Sequence, residues 1–154
     1  MNNTTELVSD ENISKYMKSV EQGNAKAQYH LGNCYYSGQG MEQSYEKAFY
    51  WYKKAAKQGY RRAEYNLGVC YARGEGVEKS EKKAFYWHKK AAEQGLAEAQ
   101  LNLAKCYFFC EGVEMSFYQT NYWLRKAYKN GNKEAGERLN MLQEKFVGIF
   151  NLEI

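Results

Sequence analysis

Apolar and polar positions along this chain recur on two periods, one nested inside the other. Over short stretches the apolar residues fall on helical spacings. Ala27, Leu31, Cys34 and Tyr35 lie four, three and one residues apart, which places them on one face of a helix. Ala48, Trp51, Tyr52 and Ala55 follow at three, one and three, which predicts a second helix. Over the longer range, the same residue types return every 36 positions. Glycine does so at Gly23, Gly59, Gly95 and Gly131, alanine at Ala27, Ala63, Ala99 and Ala135, and leucine at Leu31, Leu67, Leu103 and Leu139. Cys34, Cys70 and Cys106 keep the same step, as do Tyr35, Tyr71 and Tyr107 and all three tryptophans, Trp51, Trp87 and Trp123. So many unlike residues on one step mark an internal repeat.

The polar positions punctuate this pattern. SGQG at 37–40 and RGEG at 73–76 stop the first helix of a repeat, because glycine tolerates the positive φ of a helix C-terminus. Ser44, Ser80 and Ser116 stand where the second helix begins, as hydroxyl caps for its free amides. Gln119, three residues after Ser116, matches a capping box. The second helix ends at Gly59, after Gln58. Ala27, Gly32, Ala48 and Ala55 let two helices approach closely, with Tyr35 and Trp51 filling the gaps beside them. One such hairpin cannot bury its apolar faces alone, and stacking on its neighbours completes the core. The expectation is an all-α fold, a right-handed superhelical solenoid of antiparallel helix–turn–helix repeats with a 36-residue period. Its frame is a flexible N-terminus at 1–10, a single solenoid over 11–146 and an apolar C-terminal tail at 147–154. Within the solenoid lie a half unit at 11–23, units at 24–59, 60–95 and 96–131, and a half unit at 132–146.

The paired segments AQYHLGNCYYSGQG with KAFYWYKKAAKQG, then AEYNLGVCYARGEG with KAFYWHKKAAEQG, resemble the Sel-1-like repeat family, a relative of tetratricopeptide repeats. That resemblance implies a non-enzymatic scaffold or adaptor that binds partner proteins, often in bacteria and often in signalling or secretion. A sharper version is an immunity-type protein that neutralises one bacterial toxin, which a chain of only about three units fits. By analogy with tetratricopeptide repeats, first-helix positions off the core face point into a concave groove. These are Lys26, Tyr29, Asn33 and Tyr36, then Arg62, Tyr65, Val69 and Ala72, then Glu98, Leu101, Lys105 and Phe108. Tyr29, Tyr36, Tyr65 and Phe108 are the expected apolar anchors, since binding hot spots favour aromatics. Lys26, Arg62 and Lys105 would steer an acidic stretch of the partner. The competing expectation is that Tyr29 and Tyr65 pack as core.

Composition changes this picture little. Tyrosine is in excess, 15 in 154 residues, and serves core or surface equally well. Proline, the commonest helix breaker, is absent. The net charge of +4 is not gathered into a basic block, so nucleic acid is not an expected partner. MNNTTELVSDEN has no basic region followed by an apolar run, and no 18-residue apolar stretch occurs. The expectation is a cytoplasmic chain without a membrane span.

Candidate chemistry is thin. Helix axes packed side by side lie roughly 8–10 Å apart, and disulfide Cα atoms lie within about 7 Å. Cys34, Cys70 and Cys106 therefore read as core thiols rather than a disulfide framework, and no CxxC pair suggests zinc. Cys110 is either exposed and reactive or tucked inward. His30 and His88 belong to no catalytic arrangement and read as surface or partly buried polar residues. SGQG and RGEG lack the Lys-Ser/Thr ending of a phosphate loop and follow helices. No catalytic residue, metal or cofactor is expected. Lys53–Lys54, Lys82–Lys83 and Lys89–Lys90 read as a solvated outer face, with Glu46, Glu81 and Glu93 interspersed.

Two segments depart from the repeat. In FCEGVEMSFYQT, Phe109, Cys110, Phe117 and Tyr118 stand where the earlier repeats have mostly polar residues or glycine, suggesting a contact surface or packing beneath the tail. The tail is apolar at Phe146, Val147, Ile149, Phe150, Leu152 and Ile154. It would either fold back over the third repeat as a cap, leaving a monomer, or dock into another copy as a dimer.

Overall fold

The computed structural model describes residues 10–150, without the side chains of 10–13, 16 and 146–150. All regular structure among the described residues is helical: α1 (Asp10–Glu21), α2 (Ala25–Ser37), α3 (Tyr45–Lys57), α4 (Arg61–Arg73), α5 (Glu81–Glu93), α6 (Ala97–Phe109), α7 (Phe117–Lys129) and α8 (Lys133–Phe150). In an N-terminal body ending at Ser80, α1 packs on α2, α2 on α3 and α3 on α4. In a C-terminal body from Glu81, α5 packs on α6, α6 on α7 and α7 on α8. The architecture is the all-α solenoid of helix–turn–helix repeats that the 36-residue step predicts.

Local chemistry sets the helix ends. The Ser44 and Ser116 hydroxyls accept from the amides of Lys47 and Gln119, each at 3.2 Å. Asn24 caps α2 in the same way, its side-chain oxygen accepting from the Ala27 amide at 2.9 Å. Gly38 and Gly74 close α2 and α4 in the left-handed conformation, their amides donating to the carbonyls of Cys34 and Cys70. Cys110 closes α6 identically at φ 61°, and among the described residues it is the one non-glycine with positive φ.

The repeats interlock at two kinds of place. A Cβ on Gly76 would overlap the Tyr45 carbonyl and lie 2.8 Å from the Glu46 amide nitrogen. Gly112 meets Glu81 and Lys82 in the same manner. Each turn therefore rests on the start of the preceding second helix, and only glycine permits that approach. At the other end of the hairpins, the Gln58 amide donates to Gln28 Oε1 at 2.8 Å and to the Gly23 carbonyl at 3.0 Å. Asn130 bonds Gln100 Oε1 at 2.9 Å and the Gly95 carbonyl at 3.4 Å. Gln28 and Gln100 are buried, so these side-chain bonds satisfy groups that water cannot reach.

Leu31 and Leu67 in the N-terminal body and Leu103 in the C-terminal body are buried, as are the alanines of each body and the free thiols Cys34, Cys70 and Cys106. Cys110 is exposed. His88 departs from the surface or partly buried position expected for it: it is 3% exposed. It occupies the inward second-helix position that Tyr52 holds one repeat earlier, and burial pushes its pKa down to about 4. The helix α8 continues through Phe150, past residue 146. The expected flexible segment falls at its first nine residues outside the described chain, and so do residues 151–154 and the tail side chains on which fold-back or dimer docking would rest.

Candidate partner-binding site

In the N-terminal body, Lys26, Tyr29, Asn33 and Tyr36 stand on α2 and Arg62, Tyr65 and Val69 on α4. Lys26 and Arg62 are exposed, and the other five are half-buried. Tyr29, Asn33 and Tyr36 are each engaged by neighbouring side chains. Tyr29 packs its ring on Tyr60 and Tyr52, with centroids 5.2 and 6.1 Å apart. The Asn33 side-chain oxygen accepts from the Tyr52 hydroxyl at 2.8 Å and from the Asn66 amide at 3.3 Å. The Tyr36 hydroxyl donates to Glu75 Oε2 at 2.8 Å, and Arg73 donates to it at 3.4 Å. Its burial first, and then the Glu75 carboxylate, push the Tyr36 phenol pKa up. Tyr29 is thus both packed and partly exposed, between the two expectations for it.

In the C-terminal body the predicted residues separate by depth. Leu101 is 4% exposed, so it is a core residue and not a groove anchor. The helix α6 packs on both α5 and α7, and its buried face widens to take in Leu101 beside Leu103 and Ala104. Lys105 is committed within the chain, to Glu134 Oε1 at 3.0 Å. Arg138 reaches the same oxygen through Nη2 at 2.8 Å and Nε at 2.9 Å. Those two donors hold the Glu134 carboxyl below its usual range. Phe108 is half-buried and edge-on to Phe109, 4.9 Å between centroids, and to Phe117 at 6.1 Å.

Between α6, α7 and α8 lies a cleft of about 210 Å³. Ala104, Phe108, Phe109, Leu124, Met141 and Leu142 make its apolar lining, Thr120 is its one neutral polar residue, and Lys105, Arg138 and Lys145 are its charged residues, all cationic. Sequence reasoning found Lys105 and Phe108 but missed Arg138, Glu134 and Leu124. The signal was available in the 36-residue step, where position 52 reads Tyr, His and Leu through Tyr52, His88 and Leu124. Position 66 likewise reads Asn66, Asn102 and Arg138.

The lysine pairs of the second helices are partly engaged with rings. Lys54 Nζ sits 5.0 Å from the Tyr50 centroid and 5.3 Å from Trp51, and Lys90 repeats this over Tyr86 and Trp87. Among the described residues, no group of three or more His, Cys, Asp and Glu side chains could hold a metal ion. No described helix is long and apolar enough to cross a membrane.

Comparison with known proteins places this geometry. The Sel1 repeat model matches three times, at 25–60, 61–96 and 97–132, one residue on from the frame read from the sequence. A Sel1 repeat protein from Oxalobacter formigenes is similar at 36% identity over 84% of this chain, with a TM-score of 0.77, and this chain spans 51% of its length. A protective antigen present in uropathogenic Escherichia coli strains, displaying an SLR fold, is similar at 38% identity over 89% of this chain, with a TM-score of 0.81, and this chain spans 29% of it. Helicobacter pylori cysteine rich protein B shares the fold at 22% identity, with a TM-score of 0.68 over 89% of this chain and 98% of its own. No curated protein matches the sequence. With three consecutive repeat matches laid over α2 to α7, the chain belongs to the Sel1 repeat family, a scaffold type for protein interaction that is generally non-enzymatic.

Proposed function

We propose that this chain is a non-enzymatic adaptor that grips a partner protein through the half-exposed side chains of its first helices. One observation carries the reading: Tyr29 and Tyr36 on α2 are half-exposed, yet each is held by neighbouring side chains. Glu75 and Arg73 hold Tyr36, and Tyr52 and Tyr60 hold Tyr29. A ring already held in place loses little side-chain entropy on binding, which lowers one of the costs of association. Lys26 and Arg62, exposed on the same helices, give the surface a basic flank suited to an acidic stretch.

The test compares capture by wild type with capture by Tyr36→Ala/Tyr65→Ala and, separately, Phe108→Ala, each of confirmed helicity. Loss of one stoichiometric partner in the first variant supports α2 and α4 as its seat. Capture unchanged by both variants removes the first-helix reading. Toxin neutralisation is the stricter form of the same binding. It requires that the captured partner be a toxin whose activity falls to zero at one equivalent of this chain, and a titration of that activity decides it. Cytoplasmic residence belongs to the same proposal, and fractionation of the native cell checks it.

A further inference from the structure

The three repeats act as controls for one another at the cleft between α6, α7 and α8. In the first repeat the matching space is full. Tyr52 reaches across from α3, its ring lies on Gly32, and its hydroxyl ends on Asn33, which also accepts from Asn66. A Cβ on Gly32 would come within 2.6 Å of that ring, so the glycine and the tyrosine are a matched pair. In the third repeat both members change: Ala104 stands at the glycine position and Leu124 at the tyrosine position. Leucine is shorter than tyrosine by the outer part of the ring and the hydroxyl, and the cleft of about 210 Å³ opens there. The two residues that met the hydroxyl change as well. Asn33 becomes Lys105 and Asn66 becomes Arg138, so neutral amides give way to cations.

Charge bookkeeping gives the sign of the missing group. Lys105 and Arg138 share the single carboxylate of Glu134, and Lys145 is a third cation on the lining. The rim therefore carries surplus positive charge above an apolar floor. Its surroundings are also unlike those of the other repeats. Phe109 replaces Ser37 and Arg73, and Phe117 replaces Tyr45 and Glu81. Phe109 and Phe117 remain 56% and 48% exposed and so offer apolar area to a contact. Phe109 lines the cleft directly, and a ring contact with Phe108 joins Phe117 to it.

We propose that this cleft receives a large apolar side chain of a partner-protein segment that carries carboxylates beside it. The apolar group fills the space a tyrosine ring takes in the first repeat, and a carboxylate meets Lys105, Arg138 and Lys145. A volume of about 210 Å³ falls below the roughly 300–1,000 Å³ of sites for small-molecule ligands, and it suits one large side chain. The exposed phenylalanines extend the contact beyond what a small ligand would cover. This deepens the adaptor reading by giving the partner a chemistry, and it can fail while that reading stands.

The experiment titrates the ¹⁵N-labelled full chain with acetylated pentapeptides that have Phe, Leu or Tyr at the centre and Asp and Glu on either side. Controls carry Lys in place of the acids or Ser at the centre, and free 3-phenylpropionate is a separate arm. Amide signals of α6 and α8 should move with the acidic apolar peptides, and affinity should fall as salt rises. The variant A104G/L124Y restores the glycine and tyrosine pair of the first repeat, plugs the cleft, and should weaken binding at least tenfold. Phe109→Ser restores a first-repeat residue on the surface, and Lys145→Glu reverses a rim charge; each should weaken binding about threefold or more, whether or not the double variant folds. No shift at millimolar peptide overturns the proposal. Equal binding of the Lys controls does so too, and so do unchanged affinities in the variants. Equal affinity for free 3-phenylpropionate assigns the cleft to small acids and overturns the partner segment. A partner captured by wild type and retained by A104G/L124Y refutes only this cleft, leaving the adaptor intact.

Discussion

Replacing Gly76 by alanine should damage this fold more than the same change at Gly59, although both glycines sit in turns of the N-terminal body at similar positive φ, 72° and 78°. Forcing an L-residue into the left-handed region costs about 1–2 kcal/mol, and both variants carry that cost. At Gly59 the new methyl meets nothing within 4 Å, so the conformational cost stands alone. At Gly76 it overlaps the Tyr45 carbonyl and lies 2.8 Å from the Glu46 nitrogen. Both are backbone atoms of the first turn of α3, and unlike the end of a flexible side chain they cannot swing aside. Relieving such an overlap means separating the turn from α3, which for overpacked sites costs roughly 1–3 kcal/mol more. Gly76→Ala should therefore lose about 2–5 kcal/mol in all, against about 1–2 for Gly59→Ala. That is a large share of the 5–15 kcal/mol that holds an ordinary domain. Urea denaturation followed by circular dichroism measures both, and amide exchange should locate the extra loss in α3 and α4, since each repeat touches only its neighbours. If the two variants agree within about 0.5 kcal/mol, the turn is not seated on α3 as described.

The other predictions concern single side chains. Cys110→Gly should stabilise the chain by about 0.5–1 kcal/mol in the same urea assay, because φ 61° at the end of α6 is a glycine conformation. Thiol titration of the native chain should find one fast cysteine, Cys110; burial pushes the pKa of Cys34 up and those of Cys70 and Cys106 up to about 12, so two or more fast thiols would contradict the core assignment. Tyr52→Phe should cost about 1–2 kcal/mol, since it removes the 2.8 Å bond to Asn33 and leaves the longer one from Asn66. His88 is held near pKa 4 in the folded chain against 6.5 when exposed, so the unfolded state takes up the proton first. Its contribution is full above pH 6.5 and is lost as pH falls toward 4, by on the order of 3 kcal/mol; the loss should be absent from His88→Leu and so appear in the difference between wild type and that variant.

What the sequence made legible follows from what a period can encode. A residue that returns every 36 positions does the same mechanical task each time, so the helices, their serine caps, the left-handed glycines and the buried leucines and thiols could all be placed without coordinates. Depth across a helix face could not. Leu101 and Phe108 share a spacing class on α6, yet one is core and the other half-exposed, because α5 and α7 flank the helix and only the coordinates show where their cover stops. Nor does a single substitution reveal its consequence. Leu124 for tyrosine looks conservative until Ala104, Lys105 and Arg138 are read with it, since the space it vacates and the cations that face that space come from three different helices.

The departures of the third repeat therefore divide by a physical criterion. Ala104 and Leu124 change together in a way that keeps α6 and α7 packed, for both are buried and the alanine methyl occupies room that a tyrosine ring would need. Phe109 places apolar area in water where the earlier repeats have Ser37 and Arg73, and Phe117 does so where they have Tyr45 and Glu81. Each ring contacts Phe108, Phe109 also lines the cleft, and about half of each stays uncovered. A substitution that keeps the fold but leaves large apolar surface in water is what a contact with another molecule would require. Cys110 has no such counterpart: nothing in the structure explains a cysteine at φ 61° at the end of α6.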